Sequence, residues 1–231
     1  MTLGTALKLG RVSNLPTVWT NVAAGLGLAV LEPRWRLVVP LGLAVSLLYV
    51  AGMYLNDAFD VRWDSQHRPE RPIPSGQAAL ATVFRAGFGM MVAALALLAA
   101  VGAGALAAGV ALAVLILVYD MSHKGNPVAP VVMGLCRVAV YAVAACAVGA
   151  PLAPPVLLGA ALLFFYLVML SVIARGETSD PKIPRLVGRL IAGISLVDGL
   201  QLLVVGHPIA AALCVGAFFL TLRLQRRVAG T

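Results

Sequence analysis

Charge is scarce in this sequence. Of its 231 residues, 11% are Asp, Glu, Lys or Arg, whereas soluble domains carry roughly 25%. Hydrophobic residues make up 61%, and the mean hydropathy is +0.97. A water-soluble fold is excluded, because too little polar surface exists to cover the apolar side chains and lipid must cover part of them. Cysteine is scarce as well. Cys136, Cys146 and Cys214 all fall in apolar stretches without CxxC spacing. That excludes a disulfide framework or a thiolate metal centre and leaves three inert core thiols. Aromatic residues reach only 6%, and Phe84, Phe88, Phe164, Phe165 and Tyr166 read as lipid-facing or packing residues. Acids number nine against 17 Lys and Arg, a net charge of +8. The excess would suit nucleic acid if it formed a patch, but its placement along the chain argues against that partner.

What is present is a series of long apolar runs. About 20 residues of helix cross a bilayer, and eight such segments are predicted, at 12–31, 37–56, 77–101, 103–119, 130–149, 154–174, 185–205 and 207–224. Continuous runs specify helices, because barrel strands would alternate. The first segment carries Asn14, Trp19 and Asn21 and is followed by many like it, so it reads as a span and not as a cleaved leader. With the N-terminus inside, fifteen of the seventeen basic residues fall at or near the inner ends of the spans, and only Arg34 and Arg36 lie outside. This positive-inside asymmetry orients the chain with both termini in the cytoplasm. Seven of the nine acids share that side; Glu32 and Asp198 do not. The expected fold is therefore an all-α integral membrane protein. A single domain covers 1–231, built as about eight helices in two four-helix halves, each with an acidic loop after its second helix.

The polar run after the second span carries the most chemistry. Asn56-Asp57-Ala58-Phe59-Asp60-Val61-Arg62-Trp63-Asp64 puts three carboxylates at i, i+3 and i+7, on one helix face at the lip of an apolar bundle. Such a cluster repels itself unless something positive joins it. Mg²⁺ fits, since it prefers one or two carboxylates completed by water and phosphate oxygens. Arg68 and Arg71 follow at once, with forked guanidinium groups suited to a diphosphate, and Ser75 is placed to cap the next helix. The residues alone describe a metal- and phosphate-binding mouth on an apolar bundle, suited to an amphiphile with a phosphorylated head.

The run NDAFDVRWDSQHRPERPIPSG resembles the first signature of the UbiA-type intramembrane prenyltransferases, NDxxDxxxD followed by an RPxxxG-like element. Arg11-Val12-Ser13-Asn14 resembles the family's opening Arg…Asn pattern. Tyr119 to Lys124 resembles its Tyr…Lys element, and HKGNPVAPVVMGLCR is similar to a small EboC-like branch. The resemblance covers most of the chain, with one span fewer than the family usually has. It implies Mg²⁺-dependent transfer of a polyprenyl group from a prenyl diphosphate to a small aromatic or hydroxyl-bearing acceptor. Asn56, Asp57, Asp60 and Asp64 would hold metal, with Asp57, Asp60 and Lys124 catalytic. Arg11, Asn14, Arg68, Arg71, Lys124 and Lys182 would bind diphosphate. The family's second acidic motif is matched poorly, by Glu177 and Asp180 alone, which are expected to hold a second Mg²⁺.

Three polar residues stay open. His123 reads as a loop histidine bonded to backbone. Arg137 either snorkels outward or faces the acidic centre. Asp198, inside the seventh span, either is neutral and bonded to Gln201, Ser195 or a neighbouring helix, or orients the acceptor. A CDP-alcohol phosphotransferase is excluded by the missing DGxxAR spacing, and a transporter by the lack of a charged path across the membrane. The competing non-enzymatic reading is a lipid-binding or scaffold protein on a diverged prenyltransferase fold.

Overall fold

The computed structural model describes residues 1–174, 183–228 and 230. All regular structure among them is helical: α1 (Leu3–Leu9), α2 (Leu15–Ala29), α3 (Val38–Phe59), α4 (Val61–His67), α5 (Leu80–Val101), α6 (Ala103–Ser122), α7 (Ala129–Ala147), α8 (Pro154–Ala174), α9 (Ile183–Val204) and α10 (Pro208–Gln225), with 3₁₀ turns at Val12–Asn14 and Trp35–Leu37. Every predicted span has a helix. Seven of these, α3 and α5 to α10, are long and apolar enough to cross a membrane. α2 has 15 residues and continues the 3₁₀ turn before it.

Local chemistry sets the ends. Proline occupies the first turn of α2, α7 and α10, where a missing N–H costs nothing. The uncharged break between α5 and α6 is a single residue, Gly102, at φ 154° and ψ 163°. That backbone region is essentially closed to residues with a Cβ. Ser75 does not cap α5 as expected. The loop runs on to Leu80, the N-cap position is Ala79, and the Ser75 hydroxyl bonds within the loop to the Pro72 carbonyl.

α2 is the hub. It packs against α3, α7, α8, α9 and α10, and the remaining helices follow one another around it: α3 on α5, α5 on α6, α6 on α7, and so on to α10. Eleven of the fifteen α2 residues are buried, against three of eighteen in α10. The two sequence halves are therefore interlocked, since the first helix of one half is enclosed largely by the other. Outer faces are apolar, as at Leu158, Phe165 and Met169, which are 63–67% exposed and face lipid.

Burying apolar groups against each other gains little where the alternative is lipid, so close packing must hold the helices together. Gly25 of α2 shows this. A Cβ there would lie 2.9 Å from the Tyr141 Cα and 2.8 Å from the Ala144 Cβ, both on α7. Gly25→Val should therefore lower the midpoint of thermal unfolding in detergent, at a cost of about 1–3 kcal/mol. Gly89, on a lipid-facing stretch of α5 with nothing within 4 Å, should tolerate Gly89→Ala or gain slightly from helix propensity. Equal melting of the two variants would contradict the packing argument.

Candidate functional site

The acidic run folds as its spacing requires. α3 ends at Phe59, but the Asp60 amide still bonds to the Asn56 carbonyl and the Asp64 amide to the Asp60 carbonyl, both at 2.9 Å. Asp57, Asp60 and Asp64 thus stay on one face. They are only 7%, 5% and 1% exposed. Three carboxylates buried together need partners, and cations from three separate segments supply them. Arg71 bridges two of them, its Nη1 donating to Asp57 Oδ1 at 3.1 Å and to Asp64 Oδ2 at 3.0 Å. Arg11 donates to the same Asp57 oxygen at 3.3 Å. The Arg11 backbone is left-handed, with φ 42° and ψ 45°, a conformation that costs a non-glycine residue about 1–2 kcal/mol. It turns the chain sharply from α1 into the 3₁₀ turn and brings the guanidinium to Asp57.

Asp60 is held from the other side of the mouth. Lys124 Nζ lies 2.9 Å and His123 Nε2 3.3 Å from its Oδ2. His123 does bond to backbone as expected, with Nδ1 3.1 Å from the Tyr119 carbonyl oxygen, but it reaches Asp60 as well. Both bonds form together only when both ring nitrogens carry hydrogen. Lys124 also sits 3.9 Å above the Trp63 ring, and the Arg68 guanidinium lies 5.6 Å from the same ring. Trp63 thus holds two candidate phosphate-binding cations at the rim.

The sequence reading passed over one acid. Asp120, near the end of α6, is 4% exposed and accepts a hydrogen bond from Asn56 Nδ2 at 3.2 Å. Its Oδ2 and the Oδ1 of Asp64 are buried without a hydrogen-bond partner among the described residues. Orphaned buried carboxylate oxygens are costly. They are the strongest structural argument that a cation belongs here, and an all-oxygen donor set suits Mg²⁺. No three His, Cys, Asp or Glu side chains among the described residues form a ready cage. Mg²⁺ does not need one, because it keeps waters and takes phosphate oxygens.

Beneath this mouth lies a cavity of about 820 Å³. Arg11, Asn14, Asn56, Asp60, Arg68, Arg71, Asp120, His123 and Lys124 line its polar end; Val18, Val45, Leu112, Ile116, Val140, Leu167 and Ile194 line the rest. Asn14 faces it from the hub, bonded to the Tyr49 hydroxyl at 3.2 Å, the Gly230 carbonyl at 2.9 Å and Gln225 at 3.0 Å. Glu177, Asp180 and Lys182 lie outside the described residues.

Two expectations need correction. Asp198 does not reach the cavity as an acceptor-orienting group would. It is 0% exposed, and both oxygens are taken by the Asn21 amide, the Thr20 hydroxyl and the Tyr141 hydroxyl, so it joins α2, α7 and α9. Of the expected partners it takes the neighbouring helices, while Gln201 reaches Tyr141 and the Gly159 carbonyl instead. Arg137 neither snorkels nor meets the acidic centre. It faces the cavity and donates to Asn21 Oδ1 at 2.9 Å. Polar residues within apolar helices were the available signal for Asn21, Asp120 and Tyr141, but only packing pairs them.

Comparison with known proteins identifies the family and supports the fold. The model of the UbiA prenyltransferase family matches residues 15–182. A digeranylgeranylglyceryl phosphate synthase of Sulfolobus acidocaldarius is 33% identical over 128 residues, covering 54% of this chain and 44% of that protein. The enzyme of that name from Methanosarcina mazei is 38% identical over 87 residues, covering 37% and 29%. The chain thus spans under half the length of the curated relatives it matches. Among solved structures, one of a digeranylgeranylglyceryl phosphate synthase superposes with a TM-score of 0.65 at 16% identity, covering 98% of this chain and 95% of that one. A UbiA homologue from Archaeoglobus fulgidus bound to DMAPP and Mg²⁺ superposes with the same score and identity, covering 93% and 86%.

Acidity should reveal the Asp60 pairing. Burial alone would raise this carboxyl, but hydrogen bonds and charge from His123 and Lys124 outweigh it and hold the group below its ordinary value. The ionised pair therefore stabilises the fold above the ordinary carboxylate value, near about 3.9, and that contribution is lost as pH falls below it through the depressed folded value. Thermal unfolding measured from about pH 6 down to about pH 3 should show a steeper acid loss for the wild type than for Asp60→Asn. Parallel curves would contradict the assignment.

Proposed function

Because the chain belongs to the UbiA prenyltransferase family, we propose that it transfers a prenyl group from a prenyl diphosphate to a small acceptor held in the cavity. The observation that carries this reading is two orphaned buried oxygens, one on Asp120, which lines the polar end of an apolar chamber, and one on Asp64, in the carboxylate cluster of Asp57 and Asp60. Asn56, Asp57, Asp60, Asp64 and Asp120 are the residues that would hold Mg²⁺. When bound there, the metal supplies charge neutralisation to the diphosphate oxygens.

Arg11 and Arg71 pair with Asp57, Arg71 also with Asp64, and Lys124 with Asp60. Once the carboxylates have another partner, Arg11, Arg71 and Lys124 are free to turn to phosphate oxygens, joined by Arg68 from the rim. Their charge stabilises the leaving diphosphate as the C–O bond ionises. The apolar walls formed by Val45, Leu112, Ile116 and Leu167 exclude water from the allylic cation until the acceptor captures it. The excess of basic residues at this end supports a mouth that opens to the cytoplasm. The relatives' shared name favours an acceptor of the glyceryl phosphate kind over an aromatic one.

Purified protein with Mg²⁺ and a panel of prenyl diphosphates and acceptors should release diphosphate and form a prenylated product. Asp57→Ala and Asp60→Ala should reduce turnover at least a hundred-fold, about 2.7 kcal/mol of transition-state stabilisation, while keeping the wild-type elution profile. Asp120→Asn should weaken the Mg²⁺ dependence. Full activity in the Asp57 and Asp60 variants would refute the site assignment.

A further inference from the structure

Lys124 has two partners of different kinds. One is Asp60, whose Oδ2 lies 2.9 Å from the Lys124 Nζ; the other is the face of Trp63, whose ring centroid is 3.9 Å away. The first partner is exchangeable. Asp60 is among the carboxylates that would hold Mg²⁺, and a metal taking its oxygen releases the ammonium. Lys124 stands on the short connection between α6 and α7, and its side chain is 40% exposed. A released ammonium is strongly hydrated and sits on a flexible four-carbon stem, so nothing in Asp60 would keep it from turning to water.

The second partner is not exchangeable. An indole face binds neither Mg²⁺, which takes oxygen ligands, nor phosphate, whose charge has the same sign as the face of the ring. Trp63 is also tied to the acids. It lies on α4 three residues after Asp60 and one before Asp64. The half-buried ring lines the mouth of the cavity together with Lys124 and Arg68. The His67 ring stacks on it at 4.2 Å and within 7° of parallel, with Nδ1 3.0 Å from the Trp63 carbonyl oxygen. The Arg68 guanidinium carbon, at 5.6 Å, is near the limit of cation–π range, so Lys124 is the cation that the ring chiefly holds. An aliphatic side chain at this position would fill space without attracting either cation.

From this geometry we infer that Trp63 is a positioning residue for the diphosphate site. Its indole face keeps Lys124 at the mouth once Asp60 has turned to metal, so that the ammonium meets phosphate oxygens and not water. This rests on the prenyltransferase reading and deepens it. The acidic run thus does two things: its carboxylates hold the metal, and the aromatic residue among them holds a cation that arrives from across the opening.

Fluorinated tryptophans test it, because fluorine withdraws electron density from the ring face and scarcely changes its shape. Trp63 is replaced in turn by 5-fluoro-, 5,7-difluoro- and 5,6,7-trifluorotryptophan in the purified protein, and the affinity for a non-hydrolysable geranylgeranyl thiolodiphosphate is measured with Mg²⁺. Affinity should fall stepwise with each fluorine, by about three-fold or more across the series, while the midpoint of thermal unfolding stays constant. In Lys124→Gln the same series should lose at least half of that slope. A flat series with Lys124 present, or an undiminished slope without it, overturns the inference. If Lys124→Gln does not fold, the series on the protein that retains Lys124 decides alone.

The fluorine resonance of 5-fluorotryptophan at Trp63 reads the contact directly. It should differ between the protein with Lys124 and Lys124→Gln, and the difference should persist under saturating Mg²⁺. Resonances that coincide under Mg²⁺ would mean that the ammonium has left the ring, and that also overturns the inference. Failure of the thiolodiphosphate to bind wild-type protein would be a failure of the prenyl diphosphate reading instead. The resonance under Mg²⁺ would still decide whether Trp63 holds Lys124.

Discussion

Arg71 between Asp57 and Asp64, at 3.1 and 3.0 Å, is the contact on which the functional end of this bundle depends. Two buried carboxylates on one helical face repel each other, and neither has enough water to screen the repulsion. The bridging guanidinium removes it and ties the loop after α4 back onto the end of α3. That loop then buries Ile73 and Ala78 against Leu9, Tyr54 and Val83, which closes the polar end around the cavity mouth. The same logic repeats at Asp60, where Lys124 and His123 bring the α6–α7 connection across the opening. Charge neutralisation thus assembles the mouth from three segments distant in sequence.

An arrangement built this way can exchange partners. Asp57, Asp60 and Asp64 are each paired with a cation that also suits phosphate, Asp120 is not, and two buried carboxylate oxygens have no hydrogen-bond partner among the described residues. On the proposed reading, a divalent ion and a diphosphate together would satisfy the orphaned oxygens and both sets of charges, whereas either one alone would leave an excess. Deeper in the membrane the polar logic differs. Asp198, Asn21, Thr20 and Tyr141 form a closed set of hydrogen bonds among α2, α7 and α9. In lipid, where apolar burial does not drive helix association, such bonds and close approaches like Gly25 on Tyr141 specify which helices meet.

Much of the fold was legible because its determinants are local. Apolar run length marked each span, and the helices α8 at Pro154–Ala174 and α6 at Ala103–Ser122 begin where proline or glycine interrupts the run. The acidic motif was legible for the same reason, since i, i+3 and i+7 spacing survives the junction at Asp60. What local pattern could not convey was pairing across helices. Asp120 looked like one more polar residue near a helix end until α3 brought Asn56 to it. Arg137 had two plausible directions, and it takes a third because Asn21 lies on the helix opposite.

The chain by itself determined that this is a multi-span helical membrane protein, that its charge lies at one end, and that three carboxylates share a face there. Hydrophobic run length, helical period and the cost of charge in lipid act within a single segment and need no partner to be read. Tertiary structure alone decided that α2 is the hub, that Asp57, Asp60 and Asp64 are paired with Arg11, Arg71 and Lys124, and that Asp198 is sealed away from the cavity while Arg137 faces it. Those outcomes depend on which side chains meet across helix interfaces, and in a bilayer that is decided by packing and hydrogen-bond pairing between segments and not by hydrophobicity along them.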